Sequence, residues 1–175
     1  TIGRRQRQMC IRDRAYEAWS GSATQLAAVT LELVGMPSAE RVEEVRDAYR
    51  AACLAWQRVA LFDFGPAADR ALLSTTNTFP VDTAGVLEDI SVEEWTPGTP
   101  SSLSRMGLPA LDFLLFSQTP NALVNELEEN PLLGQHLLRL TLRQRRCQSR
   151  LTRWPRRHQL RLTLRQRRTS LSRRR

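Results

Sequence analysis

Residues 38–64, SAERVEEVRDAYRAACLAWQRVALFDF, hold the clearest helical pattern of the chain and decide its fold. Apolar residues recur there at spacings of three and four, which places them on one face of an α-helix. The members of this stripe are Val42, Val45, Tyr49, Ala52, Trp56 and Val59. Ser38 suits the N-cap, and the glutamates after it suit the positive end of the helix dipole. The stretch predicts an amphipathic helix that runs to about Phe64 and ends at Gly65-Pro66.

A similar stripe with the same spacing precedes this helix. Its members are Tyr16, Trp19, Ala23, Leu26, Thr30 and Leu33, and Gly35 and Pro37 end it. Two amphipathic helices joined by a short Gly/Pro turn form an antiparallel hairpin, since their apolar faces can then cover each other. No β-type alternation of useful length occurs in the chain. The sequence therefore predicts an all-α fold, an antiparallel helical bundle.

The later segments predict shorter elements. Helices are expected over residues 67–74, 81–91, 107–116, 120–129 and from 132 to about 142. A polar connection is expected over 75–80 and a loop over 95–102, where turn residues are dense. Thr119-Pro120 is typical of an N-cap followed by proline in the first helical turn.

The net charge of +8 is unevenly distributed. Residues 1–14 hold five arginines and one acid, and residues 139–175 hold fifteen arginines and no acid. Residues 15–138 hold six arginines against seventeen acids, so the body of the protein is acidic. Basic charge on the surface is what attracts nucleic acids. No nucleic-acid partner is therefore expected from residues 15–140.

The first arginine-rich end, residues 1–14, resembles a translated sequencing-library adapter, and we exclude it from fold reasoning. A genuine basic arm is the alternative interpretation. On the adapter interpretation, the natural N-terminus and any signal peptide or lipid-anchor signal are absent. The full-length form would then be anchored to a membrane by that lost signal.

The other arginine-rich end, residues 141–175, carries a near-exact duplication. Residues 136–146 return as residues 158–168 with ten of eleven positions identical. Structural repeats keep their apolar pattern and vary elsewhere, so this identity indicates duplicated or frame-shifted DNA. Both arginine-rich ends are expected to be disordered or irregular. A nucleic-acid-binding tail, with Trp154 available for stacking, is the alternative.

One acid, Asp112, stands inside the apolar stretch Gly107–Phe116. A lone carboxylate among apolar residues needs a partner, a metal or a changed pKa. Asp112 is therefore a candidate metal ligand. The alternative is an acid in the first turn of a helix, satisfied by free N–H groups and the dipole.

Three segments in one order resemble the imelysin family, which includes iron-regulated bacterial proteins and metallopeptidases. They are AWQRVALFDFGP at residues 55–66, NTFPVD at residues 77–82, and the stretch Gly107–Phe116. The NTFPVD segment is similar to the family's W-P-x-D segment, and Gly107–Phe116 is similar to its G-x-H-x-x-E helix start. The similarity covers residues 15–140, the N-terminal part of a full-length member, so the chain is expected to be truncated.

The resemblance implies an all-α fold, a periplasmic or outer-membrane location, and a link to the uptake of iron or another metal. It places the motif glycine at Gly107, the histidine at Pro109 and the glutamate at Asp112. Proline has no ligating side chain, so the first ligand is lost. The remaining candidates for an iron or zinc site are Asp112 together with Asp82 or Glu88.

Asp89 is an alternative partner for Asp112, and His136 a more distant one. No H-E-x-x-H, Gly-rich phosphate loop or C-x-x-C pair occurs, and Cys53 is expected to be a small core residue. The sequence thus favours a binding or structural role in metal uptake over catalysis. A metallopeptidase whose other ligands lie in a missing C-terminal half, and an arginine-tail nucleic-acid binder, are the alternatives.

Overall fold

The computed structural model describes residues 2–65, 67–92 and 99–144, with side chains from residue 10 onward. Its α-helices are α1 (Ile2–Gly35), α2 (Ala39–Ala60), α3 (Leu72–Thr76), α4 (Thr83–Ser91), α5 (Gly107–Phe116), α6 (Pro120–Glu129) and α7 (131–144, where the description ends). Short 3-10 helices span Ala68–Arg70 and Pro100–Arg105. No strand occurs in these three ranges, and the predicted all-α fold is confirmed.

Helices α1 and α2 form the predicted antiparallel hairpin. The side chain of Ser38 accepts a hydrogen bond from the backbone N–H of Arg41 at 3.2 Å, as expected of the N-cap. The rings of Trp19 and Trp56 pack together with centroids 4.8 Å apart. At the open end of the hairpin, the hydroxyl of Tyr16 donates to the carbonyl of Phe62 at 3.2 Å. The stripe that the sequence predicted on α2 is buried throughout.

Residues 2–14 differ from the expectation, because they continue α1 as helix rather than forming a disordered or irregular end. Arginine, glutamine and methionine have high helix propensity, and a helix already nucleated by packing extends at little cost. The other arginine-rich segment, 141–175, is helical as far as residue 144. Its remaining part lies outside the described residues.

Two element boundaries also differ from the sequence prediction. Helix α2 ends at Ala60 instead of near Phe64, and the expected helix over 67–74 divides into a 3-10 turn and α3. The division falls at Ala71, whose φ of 50° lies in the left-handed region and interrupts the helix. Propensity could not locate this break because alanine ordinarily favours helix.

The core lies between the hairpin and the later helices. Helix α5 contacts α2, α3 and α4, and α6 contacts α2. Leu111 and Leu115 on α5 are fully buried. Helix α7 approaches α1 closely at Gly134, where a Cβ atom would lie 2.9 Å from Val34 Cγ1. The bundle therefore encloses most of α5.

A buried arginine fixes the end of α5. The Nε of Arg46 donates to the carbonyl of Leu115 and its Nη2 to the carbonyl of Gln118, both at 2.8 Å. Its Nη1 donates to Glu43 at 2.7 Å, and the guanidinium lies 5.1 Å from the ring centroid of Phe116. The last carbonyls of a helix have no partners inside the helix, and a cation there also suits the dipole. Arg46 thus joins the end of α5 to α2.

We expect Arg46→Met to lower the free energy of unfolding by about 3 kcal/mol, because two carbonyls lose a charged donor. Arg50→Met is the matched control, since Arg50 also lies over Phe116, at 5.2 Å, but its side chain is 55% exposed. The control should lose no more than about 0.5 kcal/mol. Urea unfolding followed by circular dichroism measures both, and equal losses would contradict the assigned role.

Candidate functional site

The start of α5 is held against α3 by a close backbone approach. Gly107 has a φ of +85°, a conformation that residues with a side chain rarely adopt. A Cβ atom at this position would lie 2.4 Å from the carbonyl oxygen of Thr76. Glycine is therefore required here for both reasons, and the contact sets where α5 begins.

Pro109 and Asp112, at the motif positions, lie in different environments. Pro109 is buried, while Asp112 is exposed although the residues before it are buried. Asp112 therefore needs no partner inside the protein, because water can solvate its carboxylate. The sequence argument for such a partner was wrong. The alternative of a first-turn acid is also wrong, since α5 starts at Gly107 and has no acid in its first turn.

The carboxylate of Asp112 faces α2. The hydroxyl of Tyr49 donates to the carbonyl of Leu108, one turn before Asp112, at 3.0 Å. The pKa of Tyr49 is raised by burial first, and Cys53 and the charge of Asp112 raise it further. Burial also raises the pKa of the Cys53 thiol, with a further contribution from Asp112. The phenol and the thiol are therefore both neutral at pH 7.

Asp82, Glu88 and Asp89 meet at one guanidinium. Asp82 Oδ2 accepts from Arg105 Nε at 2.9 Å, and Arg105 Nη1 lies 3.0 Å from Glu88 Oε2 and 3.4 Å from Asp89 Oδ1. The sequence grouped these acids with Asp112 around a metal ion. In the structure, the three acids instead pair with the guanidinium of Arg105. In the described parts of the chain, no three His, Cys, Asp or Glu side chains are arranged to hold a metal ion.

Asp82 is also the N-cap residue of α4. Its Oδ1 accepts from the backbone N–H of Gly85 at 2.9 Å. This hydrogen bond, followed by the contact with Arg105, lowers the pKa of Asp82. Gly85 leaves the space that the guanidinium fills, because a Cβ atom there would lie 2.1 Å from Arg105 Nε. Asp82 is thus engaged in local structure on both oxygens.

His136 lies in the core on α7 with 0% exposure. Burial lowers its pKa to about 4, while the nearby Asp89 acts to raise the pKa and Arg139 to lower it. The sequence argument offered His136 as a helper for Asp112. Its electrostatic partners are instead Asp89 on α4 and Arg139 on its own helix, so it belongs with the acids around Arg105.

Sequence reasoning missed Arg105, although a signal was available. Arg105 is the only arginine between Arg70 and Arg139, and it follows a segment rich in acids. A single cation in such a segment is a natural partner for several carboxylates. The role of Tyr49 had no comparable signal, because its place in an apolar stripe predicted only packing.

Within the described ranges, these elements form an all-helical bundle that encloses the start of α5. The sequence profile of the imelysin (peptidase M75) family matches residues 14–147, so the chain belongs to this family. "Iron-regulated protein A" of Synechococcus elongatus is 29% identical over 141 residues, covering 80% of this chain and 36% of the relative. The chain thus spans about a third of that relative's length.

No solved structure matches the chain. Among the described residues, no helix combines the length and the apolar character that crossing a bilayer requires.

The fit of Gly85 to Arg105 leads to a prediction of coupling between the two positions. In the natural chain, Gly85→Ala should lower the melting temperature, because the new Cβ meets both the Arg105 guanidinium and Asp82 Oδ2. In an Arg105→Ala background the decrease should be smaller, because only the clash with Asp82 remains and alanine has the higher helix propensity. Calorimetric melting of the four proteins completes the cycle. An equal decrease in both backgrounds would contradict the proposed contact.

The burial of His136 predicts acid sensitivity. Its folded pKa, about 4, is below the ordinary value of 6.5, so the unfolded chain takes up a proton first as pH falls. Stability is therefore full above pH 6.5 and decreases toward pH 4, by up to about 3 kcal/mol. Urea unfolding at several pH values measures this. His136→Gln should lose this pH dependence, and a variant with an unchanged profile would contradict the assignment.

Proposed function

We propose that the chain is part of an imelysin-like protein of iron or metal uptake, in which it binds metal or supports the binding structure without peptidase activity. One observation carries this proposal, the presence of Pro109 where the family motif has histidine. A catalytic zinc requires three protein ligands and an open position for water. The motif of this chain supplies Asp112 alone.

The other acids that the sequence predicted as metal ligands already have partners, so they are poorly placed to bind a metal ion at Asp112. Asp82 is engaged by Gly85 and Arg105, and Glu88 also pairs with Arg105. His136 is enclosed in the core. A weak, oxygen-rich site that includes Asp112 would lie open to solvent, because Asp112 is exposed. This argument supports a binding role.

Iron is the first metal to test because the relative with 29% identity is named an iron-regulated protein. We also propose that the whole protein works in the cell envelope, at the periplasmic side of a membrane, and that a lipid anchor holds it there. Both statements rest on the family. The chain covers only 36% of the relative, so they concern a larger protein than the part described.

Isothermal titration of the 175-residue chain with ferrous iron and with zinc tests the proposal. We expect weak uptake of about one ion, reduced at least tenfold in affinity by Asp112→Ala. Glu128→Ala is the matched control, since Glu128 is an exposed acid on α6 and its loss should change nothing. No uptake of either metal, or equal effects of the two variants, would overturn the proposal. Metal-dependent peptide hydrolysis by the same sample would favour the peptidase instead.

A further inference from the structure

The side of α2 that faces away from the core carries a second line of residues, the outer stripe. Its members follow one another at spacings of four and three, and all are exposed: Glu40, Glu44, Asp47, Ala51, Leu54, Arg58 and Leu61. Residues at this spacing lie along the contact line of two helices packed side by side. Leu54 is 61% and Leu61 79% exposed, so apolar surface on this line is left to water. In the described part of the chain, the outer stripe is thus a helix-packing surface that no helix covers.

Charge is unevenly distributed along the outer stripe. Its three acids precede Ala51, and its one arginine, Arg58, follows. Asp47 contacts Arg50 of the same helix at 2.6 Å, but the side chain of Asp47 is 76% exposed and can accept a second cation. A twofold pair of parallel α2 helices would set like charges against each other, whereas an antiparallel pair brings the acidic half of one helix to the basic half of the other. The outer stripe is therefore complementary to a second copy of itself in the antiparallel direction.

One antiparallel register suits both the charged and the apolar positions. When Asp47 lies opposite Arg58 of the partner subunit, Ala51 lies opposite the partner subunit's Leu54, because both pairs are symmetric about the same point of the helix. The small alanine leaves room for the leucine side chain near the twofold axis, so the two helices can approach closely there. The same register therefore buries the leucine and pairs the charges.

We propose that two copies of this chain associate through the outer stripes of their α2 helices, packed antiparallel about a twofold axis. Leu54 packs against Ala51 of the partner subunit at the centre, and Asp47 pairs with the partner subunit's Arg58 on either side. Helix α2 has 22 residues and is about 33 Å long, so one helix pair forms a small interface. We therefore expect a weak dimer, with a Kd of about 10 to 100 µM. Asp112 is not in the outer stripe, so this association is independent of metal binding.

Sedimentation equilibrium of the full chain, from about 10 µM to about 1 mM, tests the proposal. A reducing agent is present because Cys10 is exposed and a disulfide would also join two chains. We expect the mass to rise with concentration from 20.0 kDa toward twice that value. Leu54→Glu should lower the dimer affinity by about tenfold or more, because it places a charge at the apolar centre. Leu31→Glu is the matched control, since Leu31 on α1 is likewise 61% exposed, and it should leave the affinity unchanged.

Charge reversal tests the register. Asp47→Arg and Arg58→Asp should each weaken the dimer by about tenfold, since each sets like charges opposite each other at two places in the dimer. The double variant should bind about fivefold more tightly than either single variant, because opposite charges face each other again. The contact between Asp47 and Arg50 lies within one helix and stays broken in the double variant, so it cannot produce this recovery.

A chain that is monomeric at every concentration would overturn the proposal, and the outer stripe would then be left for another part of a longer protein. A dimer that Leu54→Glu leaves unchanged, or in which the double reversal is no tighter than the single ones, would overturn it as well. Contacts elsewhere, such as those of the arginine-rich residues 141–175, would then join the copies. Circular dichroism of each variant checks that the helices remain, and because the substituted positions are exposed, we expect no loss of fold.

Discussion

The buried Arg46 of α2 is the contact that holds the end of α5 against the α1–α2 hairpin. Its guanidinium provides donors for the carbonyls of Leu115 and Gln118, and burial between helices makes each bond more valuable than at the surface. The start of α5 is fixed separately, by Gly107 against Thr76. Both ends of α5 are therefore held by its neighbours, and Asp112 in the middle of the helix is exposed.

The acidic side chains of residues 15–138 lie in two different electrostatic environments. Asp82, Glu88 and Asp89 surround Arg105, which pairs with all three and joins α4 to the 3-10 helix Pro100–Arg105. Within the described part of the chain, Asp112 has no such cation and lies beside a thiol and a phenol instead. Asp82, Glu88 and Asp89 therefore belong to a structural ion-pair cluster, whereas Asp112 is an exposed acid that water can solvate.

Local signals explain where the sequence predictions succeeded. The caps at Ser38 and Thr119 both accept hydrogen bonds from the following turn, at 3.2 and 3.4 Å, since capping depends on residues three apart. The bounds of α5 and α6 were also predicted, because glycine and proline restrict the backbone locally. The end of α2 at Ala60 and the break at Ala71 were not predicted, because both positions are alanine, a residue that favours helix.

Periodicity and residue identity are local properties, and they were enough to predict the all-α class and the α1–α2 hairpin, both of which the structure confirms. Local patterns could not show which side chains interact, because the partners are distant in sequence and only the folded arrangement of helices brings them together. These interactions join Arg105 to the three acids, His136 to Asp89, and Asp112 to Tyr49 and Cys53. The exposure of Asp112 also required the folded bundle, because it depends on how α5 is rotated against its neighbours.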